Sequence, residues 1–346
     1  VYKRANDDWT QLGNDIDGEF AGDESGYSVA LNDAGNVVAI GAYKNDKGGV
    51  DSGHVRVFQL VNNIWTQVGY DIDGEAAYDQ SGRSVAISGD GTIVAIGAPF
   101  NDGVNGENSG HVRVYQNVNG FWQQLGQDLD GEASGDQSGF SVSLNDNGTV
   151  VAIGAIENDG GGVENIGHVR VFKNISGSWT QMGTDIDGET ENDFSGYDIS
   201  LSHDGNTLAI GASSNDGNGA LSGHVRIFGN YGANWVQIES DIDGVEAYDQ
   251  SGWSLDLSAL GDYVAIGSFE LAQVFANAKL LSVEENDLAT GLSIYPNPTQ
   301  DVINLNFGDI KNIDLKVFNV LGEIVYQKRN ITEALYQLRL NQPSGI

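Results

Sequence analysis

The feature that most constrains this chain is a tryptophan that recurs at a nearly fixed interval. Five copies of one segment each begin with such a tryptophan, and the intervals between them are 56, 57, 57 and 56 residues. The five residues are Trp9, Trp65, Trp122, Trp179 and Trp235. A repeat of this length is one supersecondary unit that cannot bury its apolar face alone, so the copies must stack against one another.

Within each copy the apolar residues alternate or form short runs, which is the pattern of β-strands and not of helices. In the second copy this pattern predicts strands over 84–87, 93–98, 111–115 and 122–125. Glycines 89 and 91 favour a hairpin between the first two strands. Four short antiparallel strands, repeated around an axis, make the blade of a β-propeller. A linear solenoid would need polar capping repeats, which this sequence does not show.

The strand motifs resemble the FG-GAP repeat, the blade of the integrin-α type of propeller. In the first copy they are Gly-Tyr-Ser-Val at 26–29, Ala-Ile-Gly-Ala at 39–42 and Gly-His-Val-Arg-Val-Phe at 53–58. They recur in the next three copies and decay in the fifth. The resemblance covers residues 1–275 and implies an all-β propeller of five visible four-stranded repeats with a 57-residue period. Two hypotheses on blade number stay open: the strand at Trp9 completes the fifth copy, or upstream blades belong to the ring.

The net charge of the chain limits the classes of partner that it can bind. Asp and Glu number 49 against 16 Lys and Arg, for a formal net charge of −33. Such a surface repels phosphate backbones, which disfavours nucleic acid, and attracts divalent cations. The chain has no cysteine, so it forms no disulfide. No apolar run approaches the roughly 20 residues of a membrane-spanning helix.

The composition changes near the carboxyl end. Residues 276–291 lack the repeat and are predicted to be a linker, and 292–346 alternate strands and turns in the manner of a small Ig-like β-sandwich. The motif Tyr295, Pro296, Asn297 and Pro298, followed by a hairpin at Gly322, resembles the type A sorting domain of the type IX secretion system. That resemblance implies export through this machinery, to the medium or the outer cell surface of a Gram-negative bacterium. The family's last strands lie beyond residue 346, so we expect a truncated sorting domain.

Each copy also carries an acidic loop, Asp-x-Asp-Gly with further carboxylates, and two interpretations stay open. Several carboxylates on a turn made sharp by glycine suit calcium, which takes six to eight oxygen ligands. Alternatively, the aspartates cap backbone N–H groups of the turn. The calcium site of integrin-type blades lies between the first two strands and does not carry over. The candidate calcium ligands are Asp15, Asp17, Glu19, Asp23, Asp71, Asp73, Glu75, Asp79, Asp128, Asp130, Glu132, Asp136, Asp185, Asp187, Glu189, Asp193, Asp241, Asp243 and Asp249. Calcium is the one cofactor that the sequence suggests.

Two further positions recur in every complete copy. One histidine per copy stands in Gly-His-Val-Arg, and we interpret it as structural, with the arginine paired to a carboxylate. These are His54, His111, His168 and His224. The residue after the glycine at the start of the first-strand motif is mostly aromatic and is predicted to form a contact rim. It is Tyr27, Arg83, Phe140, Tyr197 and Trp253 in the five copies.

These features favour a non-enzymatic, exported propeller that binds an extracellular protein or glycan. A single active site needs residues that differ between copies, and the asymmetries are few: Arg83, the short fifth copy, and Asp198, which we align with Val29, Val85 and Val142. No nucleophile elbow, phosphate-binding loop or zinc-protease motif is present. The alternatives are a carbohydrate-active propeller enzyme and a purely structural surface or biofilm protein.

Overall fold

The computed structural model describes residues 1–5, 8–232, 234–269 and 271–276, and the segments 293–295, 302–306, 313–318, 324–333 and 335–339. The chain divides into two compact units, Val1–Leu281 and Ser282–Ile346. The predicted linker beyond Ala276 lies outside the described residues. Among the residues that are described, every regular element is a strand except one 3-10 turn at Gly160–Gly162.

The first unit is built from five successive antiparallel sheets, which we call blades 1 to 5. In blades 1 to 4, four strands follow one another in sequence order, and a two-residue strand from the acidic loop pairs with the start of the third strand. Blade 1 comprises Ser28–Leu31, Val37–Ala42, His54–Val61, Ile64–Gln67 and Ile72–Asp73; blade 2, Ser84–Ile87, Ile93–Ala98, His111–Val118, Phe121–Gln124 and Leu129–Asp130. Blade 3 comprises Ser138–Leu144, Val150–Ala155, His168–Ile175, Ser178–Gln181 and Ile186–Asp187; blade 4, Ile199–Leu201, Thr207–Ala212, His224–Asn230, Trp235–Gln237 and Ile242–Asp243. Blade 5 has three strands, Ser254–Leu257, Tyr263–Gly267 and Ala272–Ala276.

The amino-terminal residues form a hairpin of their own. Its strands, Tyr2–Ala5 and Asp8–Gln11, pair with each other, and in the described chain neither is hydrogen-bonded to blade 5. The strand at Trp9 therefore does not complete the last blade as its outer strand. Instead Val1 and Ile16 pack against the core of blade 1, and the Leu12 carbonyl accepts a hydrogen bond from the indole of Trp65 at 2.8 Å.

The apolar core lies between neighbouring blades. Ala95 and Val114 of blade 2, for example, pack against Val151 and Ile153 of blade 3. Second strands are buried along their whole length in blades 1 to 4, because both of their faces are covered. In blades 2 to 4 the neighbouring blades cover them, and in blade 1 the amino-terminal residues Val1 and Ile16 pack on the side away from blade 2. This is why their sequence is a continuous apolar run and not an alternating one.

The repeated tryptophan and glycines fix how closely the blades approach. The indole N–H of Trp179 donates to the Leu125 carbonyl of the preceding blade at 2.7 Å, and the equivalent tryptophans of blades 1, 2 and 4 make the same bond. A Cβ atom added to Gly97 would lie 2.0 Å from the carbonyl oxygen of Gly139 in the next blade. Only glycine permits that approach.

The first strands of all five blades line one central cavity of about 460 Å³, which runs toward the hairpin turns at Asp33, Gly89, Asp146 and His203. The blades therefore curl around a common axis and do not extend in a line. This confirms the predicted β-propeller of five blades.

The second unit forms two small sheets. One contains Ser293–Tyr295, Val302–Asn306 and Leu335–Arg339, and the other Ile313–Phe318 and Ile324–Ile331. Leu305 and Ile331 are buried and pack with Leu315 and Tyr336. Two antiparallel sheets agree with the predicted β-sandwich. The motif residues Pro296, Asn297, Pro298 and Gly322 lie outside the described residues, and only the backbone of Tyr295 is described. Among the described residues there is no helix long and apolar enough to cross a membrane.

Candidate functional site

One mouth of the central channel is surrounded by the predicted contact rim. Because each rim residue stands at the same register near the start of a first strand, the ring of blades brings all of them to the same end of the channel. They line a cavity of about 490 Å³ together with Asp198. We call the following residues the aromatic rim: Tyr27, Arg83, Phe140, Tyr197 and Trp253.

The aromatic rim is a nearly continuous chain of ring contacts. The ring centroids of Phe140 and Tyr197 are 5.2 Å apart, and those of Tyr197 and Trp253 are 4.8 Å apart. The guanidinium of Arg83 lies 4.8 Å from the Phe140 centroid and 5.1 Å from that of Tyr27. These are distances at which aromatic pairs and cation–π contacts are attractive.

Part of the aromatic rim remains exposed and available to a ligand. Tyr27 is 52% exposed and Trp253 is 50% exposed. The Nε atom of Arg83 is buried and has no hydrogen-bond partner among the described residues. The mouth of the channel thus combines half-exposed aromatic faces with a positively charged guanidinium.

Asp198 stands beside the rim at a register that differs from our sequence alignment. Ile199 pairs with Ile210 as Val29 pairs with Ile40, so Asp198 corresponds to Ser28 and not to Val29. The alignment with the valines was wrong by one position. Ser28 donates to the Gly82 carbonyl of the next blade at 2.7 Å.

The carboxylate of Asp198 makes a different link between blades. It accepts hydrogen bonds from the backbone N–H of Leu255 in blade 5 at 2.7 Å and from that of Ile199 at 3.0 Å. Burial raises the pKa of Asp198 to about 6, although both of these hydrogen bonds favour the ionised form.

The last aspartate of each acidic loop has the turn-capping role. Asp136 is 3% exposed, and it accepts hydrogen bonds from the Ala133 N–H at 2.9 Å and from the side-chain amide of Asn158 at 3.0 Å. The same side-chain pattern recurs at Asp23, Asp79 and Asp193, each bonded to the equivalent asparagine. In the fifth loop, Asp249 accepts from two backbone N–H groups.

The other carboxylates of the loops have separate partners. The backbone carbonyl of the second aspartate accepts a hydrogen bond from an arginine, as that of Asp73 does from Arg113 at 2.8 Å. The first aspartate accepts a hydrogen bond from the glutamine four residues earlier, as Asp185 does from Gln181 at 2.7 Å. The bond from arginine recurs at Asp17, Asp130 and Asp187. The bond from glutamine recurs at Asp15, Asp71, Asp128 and Asp241. Asp243 pairs through its backbone with His224.

The histidines lie beside these loops. The strand formed by Ile186 and Asp187 pairs with the start of the third strand, so that His168 is next to Asp187 along the sheet. Burial lowers the pKa of His111 and His168 to about 4, and it also lowers the pKa of His54 and His224. The predicted pairing of arginine with a carboxylate is present between Arg113 and Glu75 at 3.3 Å.

The structure groups one carboxylate from each of two successive loops around each histidine. Ligand atoms of the three residues lie within 4.8 Å of one another in four clusters: Glu19, His54 and Asp71; Glu75, His111 and Asp128; Glu132, His168 and Asp185; Glu189, His224 and Asp241. Among the described residues, the carboxylates of a single loop do not form such a group. The calcium hypothesis for the loops stays a prediction.

Comparison with known proteins identifies both parts of the chain. Residues 72–115 match the FG-GAP repeat family, and residues 293–344 match the secretion system C-terminal sorting domain. A search of curated proteins finds no match.

Three solved structures are similar to this chain at low sequence identity. The periplasmic gluconolactonase of Pseudomonas aeruginosa is similar with a TM-score of 0.50 at 14% identity, over 90% of this chain and 88% of that one. The hydrazine synthase of Kuenenia stuttgartiensis gives a TM-score of 0.48 at 10% identity, over 86% and 77% of the two chains. A putative 6-phosphogluconolactonase of Bacteroides uniformis gives 0.44 at 12% identity, over 72% and 80%.

At such identities the likeness concerns the fold alone. The sorting domain directs export by type IX secretion to the cell surface or the extracellular space. The chain is thus a five-bladed β-propeller protein with an FG-GAP repeat at residues 72–115 and a carboxyl-terminal sorting domain of the type IX secretion system at residues 293–344.

Proposed function

We propose that this protein is an exported binding propeller that holds a glycan at the aromatic rim. The observation that carries the proposal is the convergence of four aromatic side chains and one arginine, one from each blade, on a single cavity of about 490 Å³. A cavity of this size is within the usual range of small-ligand sites.

The chemistry of the rim matches a sugar on two counts. The exposed faces of Tyr27 and Trp253 offer apolar surfaces on which the C–H groups of a sugar ring can pack. The guanidinium of Arg83, a half-buried residue that lines the same cavity, can donate to a sugar hydroxyl or carboxylate. The aromatic stacking of the guanidinium fixes its position before a ligand arrives, which reduces the entropy lost on binding.

The experiment is a glycan array probed with the labelled full chain, followed by calorimetry with the glycans that bind. Trp253→Ala is expected to weaken binding by about 5- to 30-fold, the effect of losing about 1–2 kcal/mol from an aromatic anchor. The matched control is Phe20→Ala, because Phe20 is 75% exposed and lies outside the rim. Equal affinity of both variants and the wild type, or a ligand that proves to be a protein, would contradict the proposal.

An enzymatic role has one observation in its favour. Asp198 is a half-buried residue in the same cavity, and the pKa of its carboxyl is raised to about 6, a property found in catalytic acids. The lactonase-like fold neighbour is compatible with such a role but does not argue for it at 14% identity. Asp198→Asn separates the two functions. Catalysis predicts lactone or glycoside turnover that requires Asp198 and falls above about pH 6, and the binding proposal predicts no turnover by either protein.

A further inference from the structure

The four clusters of glutamate, histidine and aspartate form a repeated arrangement that the aromatic rim does not use. Each cluster takes its glutamate from one acidic loop, its histidine from the third strand, and its aspartate from the next loop. In the fourth cluster, the Nδ1 atom of His224 lies 3.9 Å from the Oε2 atom of Glu189. The equivalent distances are 3.9 Å for His54 and Glu19 and 4.0 Å for His168 and Glu132.

Buried imidazole nitrogens in these clusters have no hydrogen-bond partner. His54 is 1% exposed, and neither of its ring nitrogens has a partner within the described part of the chain. In His224, which is also 1% exposed, the buried nitrogen without a partner among those residues is Nε2, whereas the nitrogen near Glu189 is Nδ1. A buried polar atom without a partner costs free energy unless a ligand satisfies it.

In the third and fourth clusters, one oxygen of the glutamate faces the histidine and the other faces an arginine. In the fourth cluster, Arg226 approaches Oε1 of Glu189 at 3.8 Å, and Gln237 donates to Oδ1 of Asp241 at 2.6 Å. The same arrangement is present in the third cluster, where Arg170 approaches Oε1 of Glu132 at 3.5 Å. Metal ligands are commonly oriented by such outer hydrogen bonds and ion pairs.

The first cluster already contains a positive charge of its own. The Nζ atom of Lys47 lies 2.7 Å from Oδ2 of Asp71, the oxygen that Gln67 does not hold. The other three complete copies have glycine at this place in the loop, at positions 103, 160 and 217. A cation therefore fits beside the carboxylates of the first cluster. In the other three clusters, a glycine stands in place of Lys47 and supplies no positive charge.

The fifth copy has lost the arrangement as a unit. It has Val245 where the earlier loops have a glutamate, and it lacks the Gly-His-Val-Arg strand. The glutamate and the histidine are thus present together or absent together, although 35 residues separate Glu189 from His224. Residues that serve one site are expected to behave in this way.

We propose that the four clusters are binding sites for a divalent transition-metal ion of the Zn²⁺ type, each with one imidazole and two carboxylate ligands, and that Lys47 weakens the first. Imidazole together with carboxylate suits zinc and its neighbours, whereas calcium prefers oxygen ligands throughout. A bound ion joins two successive acidic loops to the third strand between them. The sites lie outside the aromatic rim and do not depend on the proposed glycan.

Binding requires a small inward movement of the carboxylates. Ligands at about 2.1 Å from a tetrahedral ion are about 3.4 Å apart, slightly closer than the separations observed here. The glutamates are free to make this movement, since the side chains of Glu75, Glu132 and Glu189 are 48%, 43% and 41% exposed.

The test measures zinc bound to the metal-free full chain after dialysis against Zn²⁺. We expect three equivalents bound tightly and a fourth bound more weakly, with Lys47→Met strengthening the fourth. Asp241→Asn and Glu189→Gln should each remove one tight equivalent. Both substitutions keep the shape of the side chain, and thermal unfolding without metal confirms that each variant is folded.

The matched control is Asp243→Asn, which removes the same charge from the same loop two residues away but lies outside the cluster. It should retain all equivalents. Absence of stoichiometric zinc, or an equal loss from Asp243→Asn and Asp241→Asn, would overturn the proposal. Binding of calcium but not of zinc, with Asp243 required as much as Asp241, would also overturn it. That result would show that the carboxylates of a single loop form the metal site.

Discussion

Replacing Trp179 by phenylalanine tests how the blades are joined. Trp179 is 4% exposed, and its indole N–H donates to the Leu125 carbonyl at 2.7 Å. Losing this hydrogen bond costs about 1–2 kcal/mol, and the smaller ring leaves a cavity that costs about 1–2 kcal/mol more. The free energy of unfolding should therefore fall by about 2–4 kcal/mol. A large domain loses about 2 °C in Tm per kcal/mol, so we expect a decrease of about 4–8 °C.

Trp9→Phe is the matched control for this prediction. Trp9 occupies the same position in the repeat but is 69% exposed, so its replacement should change stability by about 0.5 kcal/mol or less. Urea unfolding followed by far-UV circular dichroism measures both variants against the wild type. Equal losses for the two variants, or no loss for Trp179→Phe, would refute the idea that the periodic indole joins each blade to the one before it.

Three further predictions concern other parts of the propeller. Gly97→Ala should lower the free energy of unfolding by about 3 kcal/mol or more, because its Cβ would lie 2.0 Å from the Gly139 carbonyl oxygen; a calorimetric Tm like that of the wild type would contradict this. Asp136→Ala should cost about 2–3 kcal/mol in urea unfolding because it removes the acceptor of two hydrogen bonds, and a cost near zero would show that the turn does not need this cap. The pKa of His111 is lowered from 6.5 to about 4, so the unfolded chain binds the proton more readily, and stability present above pH 6.5 is lost as the pH falls toward 4. The loss is about 3 kcal/mol for this residue in metal-free buffer, and parallel pH curves for the wild type and His111→Gln would contradict it.

The sequence predicted the blades well where one physical pattern determines them. The strand predicted over 93–98 is present with the same bounds, because a run of apolar residues buried on both faces has clear ends. The strand predicted over 111–115 continues to Val118, because its outer half pairs with the fourth strand through polar residues that give no apolar signal. The strand Leu129–Asp130 was missed because two residues cannot show a period.

The candidate sites were only partly predictable. The aromatic rim followed from a shared register, since a ring of blades brings equivalent positions together. The alignment of Asp198 with the valines was wrong by one position, because Asp198 directly follows Tyr197 as Ser28 directly follows Tyr27. The interpretation of the histidines as isolated structural residues missed the clusters around them, whose members come from loops far apart in sequence. The joint loss of histidine and glutamate in the fifth copy was the signal that could have revealed them.

The measurement that tests the central claim most directly is the distance between the first strands of blades 1 and 5. The chain has no cysteine, so spin labels on Tyr27→Cys and Trp253→Cys are unique, and double electron–electron resonance reports their separation. Both positions line a cavity of about 490 Å³, and a ring of blades predicts one narrow distance comparable with the width of that cavity plus the label linkers. Four sheet spacings of about 10 Å would place the labels about 40 Å apart in a linear array, and a distribution centred there would contradict the propeller and the rim together.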